Sequence, residues 1–276
     1  MARSFKDELA ALARATRTGI VTGDLAAVAW GSSGNSASRR LGKLARAGWL
    51  RRIRRDTYQI VPLEGTSKVA APYEDPWTLA VTLFGPCYVG GWSAAEYWGL
   101  TEQLFRETFV VTASHVRATH ISAAGLEFRV ARVSPQRAAG DTQVWRGASR
   151  VPCSSPERTI VDGANAPRWV GGLRHLGEIV ARYGETAKVD LGALGRALGL
   201  YARGAGAKRL GYIAEQLSMS EQNAERRNRL HEIRNMALEH KTAGVVKLDP
   251  AVRNRGRMNT AWGLWINAHV VRSDFA

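Results

Sequence analysis

NSASRRLGKLARAGWLRRIRRDTYQIVP, residues 35–62, reads as a short helix followed by a two-stranded wing. Ala37, Leu41, Leu44 and Ala45 recur at helical spacing and share one face, while Arg39, Arg40, Lys43 and Arg46 fall on the others. Gly48 can take a positive φ and stop the helix. Trp49-Leu50-Arg51-Arg52-Ile53 and Thr57-Tyr58-Gln59-Ile60-Val61 read as strands, with Arg54-Arg55-Asp56 as the turn between them. Gly42 is a poor helix former in mid-helix, and its missing side chain leaves room for close packing. From Arg39 to Arg55 the stretch carries eight cations and no acid. So dense a run needs an outside anion, and a nucleic-acid backbone is the commonest one. The simpler reading is a solvated basic face; the coincidence of charge with a helix-plus-wing pattern favours DNA.

The chain around this stretch has 276 residues, enough for a small and a medium domain. Its net charge of +15 is unevenly spread. Residues 1–61 hold 12 basic and 4 acidic side chains, so more than half of the excess sits in under a quarter of the chain. Cys87 and Cys153 are far apart and lack CxxC or CxxH company, which argues against zinc and for buried free thiols in a reducing cytoplasm. The N-terminus has no apolar signal core, and no apolar run is long enough to span a bilayer, so a cytoplasmic location is expected.

Upstream of the basic stretch, residues 4–17 suit a helix with Leu9, Leu12 and Ala13 as its apolar stripe and Ser4 as its cap. Ile20-Val21 is an extended step. Thr22 is placed to cap a second helix through Asp24–Trp30, and Gly31-Ser32-Ser33-Gly34 turns into the third. Three helices and a hairpin in this order predict a winged helix-turn-helix. The third helix is then the recognition helix. Asn35, Ser36, Ser38 and Arg39 at its start are expected at base edges, where Arg suits guanine and Asn suits adenine. Arg40, Lys43 and the wing residues Arg51, Arg52, Arg54 and Arg55 are expected on phosphates.

The expected fold class is α+β: a winged helix-turn-helix over residues 1–62, a Pro/Gly/Ser-containing linker over 63–75, and a larger domain with a mixed sheet and several helices over 76–276. Asp75-Pro76 opens a helix that Gly85-Pro86 ends. Cys87–Val89, Thr108–Thr112, Leu126–Val130 and a hairpin about Gly147 supply strands. Ser93 with Glu96 fits a capping box. Gly91-x-Ser93-x-Ala95 is a degenerate nucleophile elbow without its second glycine, and no triad accompanies it. Ser155-Pro156 starts a helix carrying Arg158 and Asp162 at i,i+4. The stripe Leu173, Leu176, Ile179 and Val180 marks another helix, Asp190 caps the next, and Leu210, Ile213, Ala214 and Leu217 mark a third. Residues 221–241 have a thin apolar face (Leu230, Ile233, Met236, Ala237) and read as an exposed helix or a partner-binding one, with the exposed helix favoured. Gly244–Leu248 and Trp262–Ile266 read as strands around a basic loop too long for a tight hairpin. The six histidines have no metal-ligand neighbours at useful spacing.

The order of these pieces resembles the AbiEi-type antitoxin family of transcriptional regulators. The likeness rests on GWLRRIRRDTYQIVP, on YVGGWSAAEYWGLT (Tyr88–Thr101), on SSPERTIVD (Ser154–Asp162) and on LDPAVRNRGRMNTAWGLWIN near the C-terminus, and together these span most of the chain. The resemblance implies an antitoxin of a type IV toxin–antitoxin system. Its winged helix binds inverted repeats in duplex DNA of its own promoter and represses the operon. Its C-terminal domain counteracts a nucleotidyltransferase-like toxin without needing a stable complex and supports cooperative DNA binding, and self-association on DNA is a further expectation. No cofactor, metal or catalytic residue is implied.

Two other classes compete. A nuclease or toxin-modifying enzyme needs clustered carboxylates for a metal, and Glu127-x-Arg129 is the nearest approach, with Arg where Lys is expected and no upstream Asp. A ligand-responsive repressor without a toxin is the other.

Overall fold

Caps and periodicity account for the elements of the N-terminal module. The computed structural model describes residues 5–16, 19–54, 56–61, 75–147, 149–186, 189–202 and 204–270. Helix α1 (Phe5–Ala15) leads to strand β1 (Ile20–Thr22), then to α2 (Gly23–Trp30), α3 (Gly34–Arg46), β2 (Leu50–Arg54) and β3 (Thr57–Ile60). The Thr22 side chain accepts the Leu25 N–H at 3.3 Å and so caps α2, and Gly31 ends that helix at φ 59°. Ala37, Leu41 and Leu44 of α3 are fully buried against Leu12, Val21, Ala26 and Trp30. The Trp30 indole N–H donates to the Glu8 carbonyl at 3.1 Å, tying α2 to α1. The strands form an antiparallel sheet in the order β1-β3-β2. The α-β-α-α-β-β order with this sheet is winged-helix topology. The expected cap at Ser4, the turn residue Arg55 and the linker residues 63–74 lie outside the described residues.

Asp75 accepts the Thr78 N–H at 3.0 Å and opens α4 (Pro76–Phe84), the first helix of the larger part of the chain. There follow β4 (Cys87–Val89), α5 (Gly91–Tyr97), β5 (Glu107–Thr112), β6 (His120–Ala123), β7 (Leu126–Arg132), β8 (Thr142–Arg146) and β9 (Ser149–Cys153). These strands build one six-stranded sheet in the order β6-β7-β5-β4-β9-β8. The β5/β7 and β4/β9 pairs are parallel and the rest antiparallel, so the sheet is mixed. One face packs α4 through Leu79, Leu83 and Phe84 onto Val110, Phe128 and Val130, and Ile20 of β1 joins that cluster. Cys87 of β4 and Cys153 of β9 are buried free thiols on adjacent inner strands.

The chain continues as helices: α6 (Pro156–Asn165), α7 (Leu173–Glu185), α8 (Leu191–Tyr201), α9 (Gly204–Ser220) and α10 (Ala224–Glu239). Ser155 and Asp190 cap α6 and α8 through the Arg158 and Ala193 N–H groups, at 3.1 and 2.8 Å. A small sheet of β10 (Val246–Lys247), β11 (Arg257–Asn259) and β12 (Leu264–Ile266) closes the described chain, with β12 central. Two cations on α9 hold this sheet in place. Lys208 Nζ donates to the carbonyls of Ala243 and Gly244, and the Arg209 guanidinium donates to those of Lys247, Leu248, Ala164 and Asn165. Trp262 is 1% exposed, and a Cβ on Gly211 would come within 2.1 Å of its ring, so only glycine admits that indole.

The fold is α+β, and several local expectations are corrected. Helix α5 begins at Gly91 with Gly90 as N-cap; the buried Ser93 Oγ accepts the Phe109 N–H of β5 at 2.9 Å, so there is no Ser93–Glu96 capping box. The Ser93 hydroxyl is thus a helix-to-sheet tie rather than a nucleophile at a turn. Helix α10 buries Leu230, Ile233 and Ala237 in the same cluster as α9, so its thin apolar face suffices for packing. Trp262 stands in the turn before β12, not in the strand. Strands β6 and β11 are additions to the expected set. A Cβ on Gly42 would meet nothing within 4 Å, so no neighbour in the chain needs the space that glycine leaves.

Candidate nucleic-acid interface

Burial of one face of α3 dictates what the other presents. With Ala37, Leu41 and Leu44 turned into the core, Asn35, Ser38, Arg39, Lys43 and Arg46 are exposed and Ser36 is half-buried. Asn35, Arg39, Lys43 and Arg46 follow at three- and four-residue steps, which makes one polar stripe along the helix. Arg39 Nε donates back to the Asn35 carbonyl at 3.3 Å. Lys43 and Arg46 lie in the last turn, where the helix dipole favours cations, and neither has an ion-pair partner among the described residues.

Arg40 is placed differently from its neighbours. Its Nε lies 3.8 Å from Glu8 of α1, and its guanidinium stands 5.8 Å from the centre of the Trp30 ring. It flanks the stripe and braces α3 against α1 and α2.

An acid adds a polar tie between the wing and the helix, beside the core that Leu50 and Tyr58 share with Leu41 and Leu44. Asp56 occupies the left-handed region at φ 57° in the β2–β3 turn, a conformation that Asp tolerates better than most residues. Its carboxylate accepts the Ser38 hydroxyl at 3.0 Å, and its carbonyl accepts the Gly23 N–H at 3.2 Å. A Cβ on Gly23 would fall 2.3 Å from that carboxylate. The Ser38 hydroxyl therefore serves the wing, and the acid immediately after the basic run helps hold the hairpin beside the stripe.

In β2, Arg51 is half-buried and Arg52 exposed, opposite Gln59 and Tyr58 of β3. A register shift between Arg52 and Arg54 turns the strand end, and the Arg54 backbone still pairs with Thr57. Arg55 lies outside the described residues. Asn35, Arg39, Lys43 and Arg52 thus stand exposed in one module. Arg46, which the sequence marks only as one more cation, belongs to the stripe by its three-residue step from Lys43.

The buried charges of α6 are packing devices. Arg158 and Asp162, each 1% exposed, sit 3.4 Å apart in α6. The Arg158 guanidinium lies between the rings of Tyr88 and Tyr201, 4.2 Å from each centre, and donates to the carbonyls of Ala139 and Arg137. The Tyr88 hydroxyl donates to Asp162 at 2.7 Å, and burial, with the Asp162 charge, pushes that phenol well above its usual pKa. Glu157 accepts the Tyr183 hydroxyl at 2.9 Å. Neither carboxylate is open to a substrate. Among the described residues no three His, Cys, Asp or Glu side chains come together to hold a metal ion, and no helix is long and apolar enough to cross a membrane.

No protein-family model matches the chain, and no curated protein does. Among solved structures it is similar to the crystal structure of the RV2827C protein from Mycobacterium tuberculosis, with a TM-score of 0.54 at 18% identity, covering 93% of this chain and 88% of that one. At that identity the likeness concerns the fold, and it extends over both the winged-helix module and the sheet-and-helix part.

Proposed function

We propose that the chain is a DNA-binding repressor that docks α3 in the major groove of its own promoter, and that it is the antitoxin of a type IV toxin–antitoxin system. The observation that carries the DNA reading is the stripe of Asn35, Arg39, Lys43 and Arg46, exposed on the helix that winged-helix topology makes the reader, with basic β2 beside it. Arg39 and Asn35 at the N-terminal end suit base edges. Lys43, Arg46 and the strand arginines suit phosphates. Arg40, braced on Glu8 and Trp30, contributes charge from the flank. In this reading the chain acts by binding and performs no reaction of its own.

The antitoxin role rests on the resemblance of the four quoted stretches to the AbiEi-type family. It assigns to the sheet-and-helix part the task of counteracting a nucleotidyltransferase-like toxin. Footprinting of the purified chain on the DNA upstream of its own coding sequence tests the first half. Protection of an inverted repeat, weakened by Arg39→Ala, is expected; no protection at low salt overturns it. Co-expression with the product of the adjacent gene tests the second half: rescue of growth is expected, and unrelieved or absent toxicity refutes it.

A further inference from the structure

The face of the six-stranded sheet opposite α4 is covered by aromatic side chains from α5 and from the turn at Pro167–Val170. Trp92 meets Phe109 edge-on with ring centres 4.8 Å apart, and Trp169 meets the same ring at 5.6 Å. Gly91 lets this cover close: a Cβ there would collide with the Trp169 carbonyl and the Phe109 ring, and its φ of 54° suits glycine. Beside the cover a cavity of about 430 Å³ stands over β5 and β7, bordered by Trp92, Phe109, Trp169, Arg129 and Arg168. That volume is in the range of small-molecule sites, roughly 300–1,000 Å³.

Strand pairing fixes which side chains face it. Arg129 of β7 lies opposite Phe109 of β5 on one side and His120 of β6 on the other, so all three share this face. Glu107, two residues before Phe109, joins them. Arg132, at the end of β7, alternates to the α4 face with Phe128 and Val130 and takes no part. The polar side of the cavity is therefore a chain of three groups. His120 Nε2 lies 3.2 Å from one oxygen of Glu107, and the other oxygen accepts Arg129 Nε at 3.1 Å. The two Nη atoms of Arg129 make no hydrogen bond among the described residues. This guanidinium is thus anchored from behind with its terminal fork free, the geometry that takes a carboxylate through two parallel N–H···O bonds.

The remaining walls are aromatic. Trp92 and Phe109 are buried backing: Trp92 stacks on Phe105 at 5.0 Å and its indole N–H donates to the Glu107 carbonyl at 2.8 Å. Trp169 is half-buried and has surface to offer. Arg168, exposed at the rim, makes no ion pair or hydrogen bond among the described residues. No carboxylate borders the cavity. We propose that it binds a planar aromatic carboxylate, with the ring against Trp169 and Phe109 and the carboxylate on the Arg129 fork. Rings favour such walls by offset and edge-on contact, and one oriented fork matches one carboxylate. The site lies in the sheet-and-helix part and is independent of the DNA reading of α3.

Calorimetric titration of the full chain, without DNA, with indole-3-acetate, tryptophol and tryptamine tests the assignment, because the three share one ring and differ in the charge of the tail. Indole-3-acetate is expected to bind about tenfold or more tightly than tryptophol, the ratio that a hydrogen-bonded charge supplies. Tryptamine is expected not to bind at millimolar concentration. Acetate, which lacks the ring, is expected to bind about tenfold or more weakly than indole-3-acetate. Arg129→Lys keeps a cation opposite Glu107 and loses the fork, and is expected to remove most of the preference for the acid over the alcohol. Arg168→Ala, at an exposed position that leaves the core intact, is expected to weaken indole-3-acetate by about threefold and to leave tryptophol unchanged. Trp169→Leu is expected to weaken both by about fivefold. Absence of indole-3-acetate binding at millimolar concentration, equal affinity for the acid and the alcohol, binding of tryptamine, a wild-type preference in folded Arg129→Lys, or indifference to Trp169→Leu would each overturn the proposal.

Discussion

Gly42→Ala separates what the chain needs for folding from what it leaves open on the outward side of α3. Gly42 lies in the interior of a thirteen-residue helix, and apart from its chain neighbours and the backbone of its own helix no heavy atom comes within 4 Å of where its Cβ would stand. Nothing therefore opposes the gain in helix propensity, about 0.8–1.0 kcal/mol for Gly to Ala at an interior position. The position is half-buried, so the added methyl contributes little further burial. A gain of that size lowers the population of open α3 by about four- to fivefold. Amide hydrogen exchange reads it locally: the amides of Leu41 and Leu44, on the buried side of the same helix, should exchange about four to five times more slowly in the variant. Faster exchange would mean that the glycine accommodates something inside the protein, and the packing argument fails. The same variant then bears on DNA. If Gly42 faces the duplex, promoter affinity does not rise with stability; affinity that climbs in step with protection removes this face of α3 from the interface.

Replacing Lys43 and Arg46 with Ala should reduce the slope of log K against log salt for promoter duplex by about 0.9 for each phosphate that is no longer neutralised; fluorescence anisotropy between low and moderate salt reads it, and an unaltered slope would place both side chains off the backbone. Asp75 is held below its ordinary carboxylate pKa of 3.8 because burial, which raises it, is outweighed by hydrogen bonds from Thr78 and Arg146. Its contribution is therefore complete above pH 3.8 and lost as pH falls through the lower folded value, so wild type should lose more stability over that window than Asp75→Asn, and matched acid denaturation curves would contradict this. Burial pushes the thiols of Cys87 and Cys153 up to about 12, so neither should react with iodoacetamide in the native state at neutral pH; mass spectrometry showing native alkylation would refute the sealed sheet interior.

What was legible in the sequence is what local physics decides. The 3.6-residue recurrence of Ala37, Leu41 and Leu44 put the core face of α3 where it lies, and Thr22, Asp75, Ser155 and Asp190 each cap the helix their position announced. Strand β6 escaped because His120, Ile121 and Ser122 carry no alternating apolar signal on a sheet edge that is wet, and β11 because Arg257-Met258-Asn259 reads as basic loop. Partnerships made by tertiary structure were out of reach. Ser93 and Glu96 have capping-box spacing, yet β5 brings the Phe109 N–H to the serine first. Ser38 has the position of a base reader, but the folded wing brings Asp56 onto its hydroxyl.

The same distinction governs the two candidate sites. The α3 stripe is local: its cations are near in sequence because one helix carries them, so composition alone draws attention to it. The cavity beside β7 is assembled by a parallel crossover and a turn, which bring Trp92, Arg129 and Trp169 together across more than seventy residues of chain. A site whose parts converge only after β5 pairs with β7 leaves no period or spacing behind.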